Sequence, residues 1–347
     1  MNGYLIFILA VLVISYAVET IVSLLNLRSI DPELPPDFRD VYDQQQYSRS
    51  QEYTRSTTRL SLVQNSAITV LTLVFIVAGG FNFIDLLARS LGFGSIGTGL
   101  IFAGQLVLLS GLAGLPFTVY ATFVIEERFG FNKTTVKTFI LDIVKSILLA
   151  IFLGAPLLAF ILWFFESGGG LAWLYSWLAA TGFILVVQFL APVFIMPLFN
   201  TFTPLEEGEL KERITGYAAS QDFKMQGIYT MDGSKRSTKL NAFFTGFGRF
   251  RRIVFFDTLM EKLKVPEILA VLGHEMGHYK LRHIFIMMAM AITQTGIMFY
   301  ILSLFINNEG LFAAFGMEHL SVYASLVFFG FLYSPISMLL AVIANGV

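Results

Sequence analysis

The sequence predicts a mostly α, polytopic membrane protein of seven transmembrane helices with one small α+β unit outside the bilayer. Three observations predict it. Of 347 residues, 56% are hydrophobic and only 14% are charged, against about 25% charged in soluble domains. Seven apolar segments, near 4–26, 62–87, 100–125, 138–165, 171–199, 284–306 and 320–344, are each long enough to cross hydrocarbon, which takes about 20 helical residues. One stretch, 200–283, is polar enough to fold in water. The chain accordingly divides into a five-span region 1–199, an extramembrane unit 200–283, and two further spans in 284–347.

The first segment lacks a basic leader and a small-residue cleavage site, so it reads as a retained anchor rather than a signal peptide. Basic residues fall in alternate loops. Arg28, Arg39, Arg49, Arg55 and Arg59 lie in 27–61, and Arg128, Lys133 and Lys137 in 126–137, while 88–99 carries only Arg89 and 307–319 none. The positive-inside rule then puts 27–61, 126–137 and 200–283 in the cytoplasm and the N-terminus on the other side. A net charge of −1 offers no attraction for nucleic acid, and the absence of cysteine rules out disulfides and thiolate metal ligands.

Several polar residues fall at membrane depth: Glu19, Gln64, Asn65, Gln105, Asp142, Lys145, Gln188 and Gln294. Such groups face a hydrated interior or bond pairwise, as Asp142 with Lys145 at i, i+3 would. Pro156, Pro192 and Pro197 are placed to bend spans four and five.

Within 200–283, Thr203-Pro204-Leu205-Glu206 has a helix-start signature and predicts a helix to about Ser220. Gly227–Met231 reads as a strand, and Asp232-Gly233 as a turn. The β-prone runs Lys239–Phe247 and Arg252–Asp257 flank Gly246-Phe247-Gly248-Arg249, which predicts a hairpin. Pro266-Glu267 then opens a helix.

That helix carries Gly273-His274-Glu275-Met276-Gly277-His278, an H-E-x-x-H run. Residues i and i+4 share a helix face, so both imidazoles can reach one metal ion. Two neutral nitrogen donors and an adjacent carboxylate suit zinc-assisted peptide hydrolysis, with Glu275 as general base toward metal-held water. The alternative is two helix histidines with structural partners. A third ligand is harder to find. His283, five residues past His278, points elsewhere on a continuous helix and marks its end, while Glu309, Glu318 and His319 fall in the last loop, across the membrane. No third zinc ligand is expected in this chain.

Further runs add specificity. They are Glu126-Glu127-Arg128-Phe129-Gly130-Phe131-Asn132-Lys133-Thr134-Thr135, Pro197-Leu198-Phe199-Asn200 with Phe202-Thr203-Pro204-Leu205, Asp232–Ser237, Asn241–Phe247 and Arg252–Leu259. With five spans before the zinc motif and two after, the chain resembles the Ste24 family of integral-membrane CAAX prenyl proteases. The resemblance implies seven helices around an intramembrane chamber, a zincin-like cytoplasmic unit, and Zn2+ bound by His274 and His278. It also implies an edge strand at Asn241, Ala242 and Phe243 that binds substrate as an added strand. The family's third ligand is a Glu beyond the seventh span, in a segment resembling S-R-x-x-E-x-x-A-D that does not occur here. Weak zinc binding and poor hydrolysis, or a separate C-terminal fragment supplying that ligand, are the resulting expectations.

The expected function is zinc-dependent endopeptidase cleavage near the C-terminus of prenylated or membrane-associated protein substrates, in the lipid bilayer. A membrane quality-control protease like the HtpX group and a non-catalytic chamber or scaffold are the alternatives. The texture of the motifs favours a bacterial inner membrane over the endoplasmic reticulum.

Overall fold

The computed structural model describes residues 2–246 and 251–345. The chain is mostly helical and forms two compact units. One comprises 1–129, 155–177 and 296–347, the other 130–154 and 178–295.

The helices run α1 (Gly3–Ser29), α2 (Gln44–Val77), α3 (Gly80–Arg89), α4 (Ser95–Glu126), α5 (Val136–Ser167) and α6 (Gly169–Phe199). The stretch between α6 and the next long apolar helix contributes α7 (Glu209–Ser220), α8 (Asp257–Lys262) and α9 (Val265–Lys280). Then come α10 (His283–Ser303), α11 (Glu309–Ala314) and α12 (Val322–Asn345). Among the described residues, seven helices are long and apolar enough to cross a membrane: α1, α2, α4, α5, α6, α10 and α12. Each apolar window is at most 22% buried. Outward-facing apolar surface on that scale suits hydrocarbon and not water.

The second span departs from expectation. The segment 62–87 is not one helix: α2 begins far earlier, at Gln44, with the Asp43 carboxylate accepting from the Gln46 N–H at 2.9 Å. It ends before Gly79, whose φ of +73° stops the helix, and α3 starts at Gly80. Helices α5 and α6 carry wide π-type turns at Ala150–Gly154 and Ala191–Ile195, beside Pro156, Pro192 and Pro197.

The first unit packs around aromatic rings. Phe102, Phe312, Phe315 and Phe328 are essentially inaccessible, and Phe315 stacks on Phe328 with ring centres 3.9 Å apart. Beside them Asp85 is fully buried. It accepts from the Tyr323 hydroxyl at 2.5 Å and from Arg89 Nε at 2.8 Å.

The second unit contains a four-stranded mixed sheet of β1 (Phe202–Pro204), β2 (Gly227–Met231), β3 (Ala242–Thr245) and β4 (Arg252–Phe256), in the order β1-β2-β4-β3. β1 is antiparallel to β2, β2 parallel to β4, and β4 antiparallel to β3. The expected helix start at Thr203-Pro204-Leu205-Glu206 is wrong, because Thr203 and Pro204 belong to β1 and no helix follows until Glu209. Pro204 has no N–H to donate, but β1 is an edge strand and tolerates it. The helix starts later, at Glu209 behind Gly208, and ends at Ser220 as expected. The strand at Gly227–Met231 and the antiparallel pairing of the two later β-prone runs are as expected. Most of the hairpin turn, residues 247–250, lies outside the described residues.

The expected Asp142–Lys145 pair does not form. Asp142 instead receives a two-pronged bond from Arg236, Nε to Oδ2 at 2.7 Å and Nη2 to Oδ1 at 2.9 Å. Arg236 also reaches Asn200 Oδ1 at 2.6 Å and the Phe199 carbonyl at 2.8 Å. Lys145 donates to the Leu198 carbonyl at 2.6 Å. A planar guanidinium satisfies both carboxylate oxygens, which a lysine cannot. Gly233, in the turn leading to Arg236, lies against Phe256. A Cβ there would sit 2.3 Å from the ring, so the turn admits only glycine.

Candidate metal centre and peptide cleft

Helix α9 positions the histidines by its apolar stripe. Ile268, Leu272 and Met276, spaced by four, are buried in the core of the second unit with Ile214, Ile253 and Phe255. His274 and His278 lie two positions on, about 200° around the helix at 100° per residue, and so turn away from that core. The helix is anchored at its start by the Lys264 N–H, which donates to Glu267 Oε2 at 2.7 Å. Both histidines are exposed and Glu275 is half-buried.

The two imidazoles converge. His274 Nε2 and His278 Nε2 are 3.2 Å apart. Nitrogens bound to one tetrahedral zinc at about 2.0–2.1 Å would stand about 3.3 Å apart, so the pair fits a shared zinc ion. Zinc also suits the donor set of two imidazoles with no thiolate. Among the described residues, no group of three or more His, Cys, Asp or Glu side chains is placed to hold a metal. Glu309 instead opens α11, and Glu318 exchanges hydrogen bonds with Asn82.

His283 departs from its expected position. Helix α9 stops at Lys280, Arg282 takes a left-handed φ of +57°, and α10 begins at His283. The break swings His283 back, and its Nδ1 lies 2.8 Å from His278 Nδ1. On an unbroken helix position i+5 would be about 140° away. The run Tyr279-Lys280-Leu281-Arg282 has no glycine or proline to announce the break.

A cleft of about 180 Å³ takes in Glu275 and His278 on one side and Phe243, Phe244 and Phe223 on the other. Phe223 packs on Phe244 at 4.8 Å and edge-on to Tyr279 at 4.9 Å. The Arg251 guanidinium lies 4.2 Å from the centre of the Tyr279 ring. The structure thus joins Glu275, His278 and Phe243 around one space. Asn241 and Ala242 do not line it. Arg251, Tyr279, Arg282 and Phe285 do line it, and no sequence signal marked them, since only the fold brings them together.

Strand β3 ends the sheet, so one of its edges has no strand partner among the described residues. The Phe256 N–H donates to the Asn241 carbonyl at 3.0 Å, so 241, 243 and 245 form the inward-bonded positions of the antiparallel ladder. The backbone groups of Ala242 and Phe244 therefore point outward. The Ala242 N–H is covered by Asn241's own side chain, whose Oδ1 accepts it at 2.9 Å.

Residues 23–201 match the family described as CAAX prenyl protease N-terminal, five membrane helices, and residues 204–343 match peptidase family M48. A CAAX prenyl protease 1 homolog from Oryza sativa subsp. japonica is 33% identical over 352 residues, covering 99% of this chain and 83% of the relative. CAAX prenyl protease 1 of Saccharomyces cerevisiae is 38% identical over 301 residues, covering 82% of this chain and 66% of the relative. A CAAX prenyl protease 1 homolog from Homo sapiens is 30% identical over 354 residues, covering 89% of this chain and 74% of the relative. The crystal structure of S. mikatae Ste24p superposes with a TM-score of 0.91 at 31% identity, covering 97% of this chain and 83% of that one.

Proposed function

This chain belongs to the Ste24-type CAAX prenyl protease 1 family of M48 membrane peptidases, and from that premise we propose that it is a zinc endopeptidase cleaving near the C-terminus of prenylated proteins. The observation that carries the proposal is the convergence of His274 Nε2 and His278 Nε2 to 3.2 Å, with Glu275 in a cleft shared with Phe243 and Phe244 of the edge strand. His274 and His278 would hold the metal. When bound, zinc polarises a carbonyl and acidifies water.

The protein's own residues do the rest. Glu275 is half-buried and has no hydrogen-bond or ion-pair partner among the described residues, so its carboxylate is free to take a proton and return it to the leaving amine. An extended peptide along β3 would bond to the outward backbone groups of Ala242 and Phe244, which fixes its register. The Asn241 side chain would release the Ala242 N–H to the peptide and hold the peptide itself. Phe223, Phe244 and Tyr279 supply an apolar wall that suits the aliphatic residues of a CAAX sequence.

The relatives compared come from eukaryotes, which removes the ground for preferring a bacterial inner membrane. An endoplasmic-reticulum membrane, with 200–283 in the cytoplasm, is the location proposed. The test is hydrolysis of a farnesylated CAAX peptide by the purified protein in detergent. Cleavage should require the farnesyl group, stop with a zinc chelator and return with Zn2+. Cleavage of unprenylated, misfolded membrane proteins at the same rate would favour the quality-control reading. The scaffold reading draws on the two-histidine donor set. It predicts no hydrolysis and no zinc retained by the wild-type protein.

A further inference from the structure

We propose that His283 is a positioning residue that locks His278 in the tautomer able to bind a metal. The inference rests on reading His274 and His278 as a zinc pair. A neutral imidazole carries one proton, on one nitrogen or the other. A proton on His278 Nε2 would leave no lone pair facing His274, so in a metal-binding His278 the proton sits on Nδ1. That N–H then requires an acceptor, because a ligating histidine is oriented by the bond its second nitrogen makes. The structure puts His283 Nδ1 there, 2.8 Å from His278 Nδ1. The two rings are 5.0 Å apart and inclined at 60°. His283 accepts at Nδ1 and carries its own proton on Nε2.

The backbone is arranged for this contact. Arg282 adopts a left-handed conformation at φ +57° that L-residues rarely take. It is closed by the Arg282 N–H donating to the Tyr279 carbonyl at 2.9 Å. The turn ends α9 two residues past His278 and makes His283 the first residue of α10. The three histidines then form a relay of contacts, Nε2 to Nε2 at 3.2 Å and Nδ1 to Nδ1 at 2.8 Å. Only the first pair faces a shared metal position. His283 touches the opposite nitrogen of His278, so it supports the site without being a ligand in it.

The experiment compares zinc affinity, by chelator competition, and the visible absorption of the cobalt-substituted protein. It uses the wild type, His283→Asn, His283→Leu and His278→Ala, each checked for unchanged melting in detergent. Asn keeps an acceptor near the Nδ1 position, and Leu has the same shape without one. His283→Leu should weaken zinc about 10–100-fold and alter the cobalt spectrum, while His283→Asn should stay within about threefold of wild type. If Leu does not fold, His283→Phe, which keeps a ring without an acceptor, takes its place with the same expectation. Equal affinity in Asn, Leu and wild type overturns the proposal, and so does equal weakening of Asn and Leu. A wild type that binds zinc no better than His278→Ala overturns the zinc reading itself.

Discussion

Asp85 and His278 show two ways of holding a polar group in this protein. Asp85 has no solvent exposure, and both its oxygens are engaged, one by the Tyr323 hydroxyl and one by Arg89. His278 is exposed and, among the described residues, contacts only other histidines by hydrogen bond and neighbours a carboxylate with no partner. In an apolar interior an unpaired polar group costs several kcal/mol, so Asp85 is satisfied completely and has nothing left for a ligand. The His274–His278 pair keeps its bonding capacity, and the apolar stripe of α9 stabilises the helix instead. Complete satisfaction marks structure, and open capacity beside a cleft marks chemistry. Asp142 with Arg236 belongs to the first kind.

Substitutions test this contrast. The largest effect falls on the open site. Glu275→Gln should lower peptide cleavage about 10²–10⁴-fold with zinc content and melting temperature unchanged, read by peptide turnover and metal analysis. Asp85→Ala should do the opposite. It leaves Arg89 and Tyr323 without their buried acceptor and should destabilise the fold by about 3–5 kcal/mol, seen in thermal melts, with turnover intact below the new transition. Loss of turnover without loss of stability in Asp85→Ala would break the contrast.

Next in size is Arg236→Lys. It loses the two-pronged bond to Asp142 and the contacts to Asn200 and Phe199, for about 1.5–3 kcal/mol, and a melt as stable as wild type would show the guanidinium to be dispensable. The smallest effect belongs to Asn241→Ala. It should raise KM about fivefold at constant kcat, the worth of one neutral hydrogen bond of about 1 kcal/mol. A fall in kcat instead would move Asn241 from holding the peptide to the reaction itself.

Much of this was legible along the chain. Apolar length disclosed the spans, because hydrocarbon demands it. The i, i+4 spacing disclosed the histidine pair, because helix geometry demands that. Two local patterns misled. Thr203-Pro204 satisfies a helix cap as well as an edge strand, and pairing with β2 at Met231, Thr230 and Tyr229 decided between them. The apolar run 62–87 hid a break at Gly79, since hydropathy carries no information on φ.

Composition, period and motif thus disclosed the membrane class, the number of spans, the helix that carries the two histidines, and the family. Tertiary packing settled which charges pair, and it brought His283 back to His278 through Arg282. It also left β3 at the edge of the sheet and gathered Phe223, Phe244, Tyr279 and Arg251 into one cleft. These are contacts between residues far apart in the chain, or across a single unusual backbone angle, and neither leaves a periodic trace in the order of amino acids.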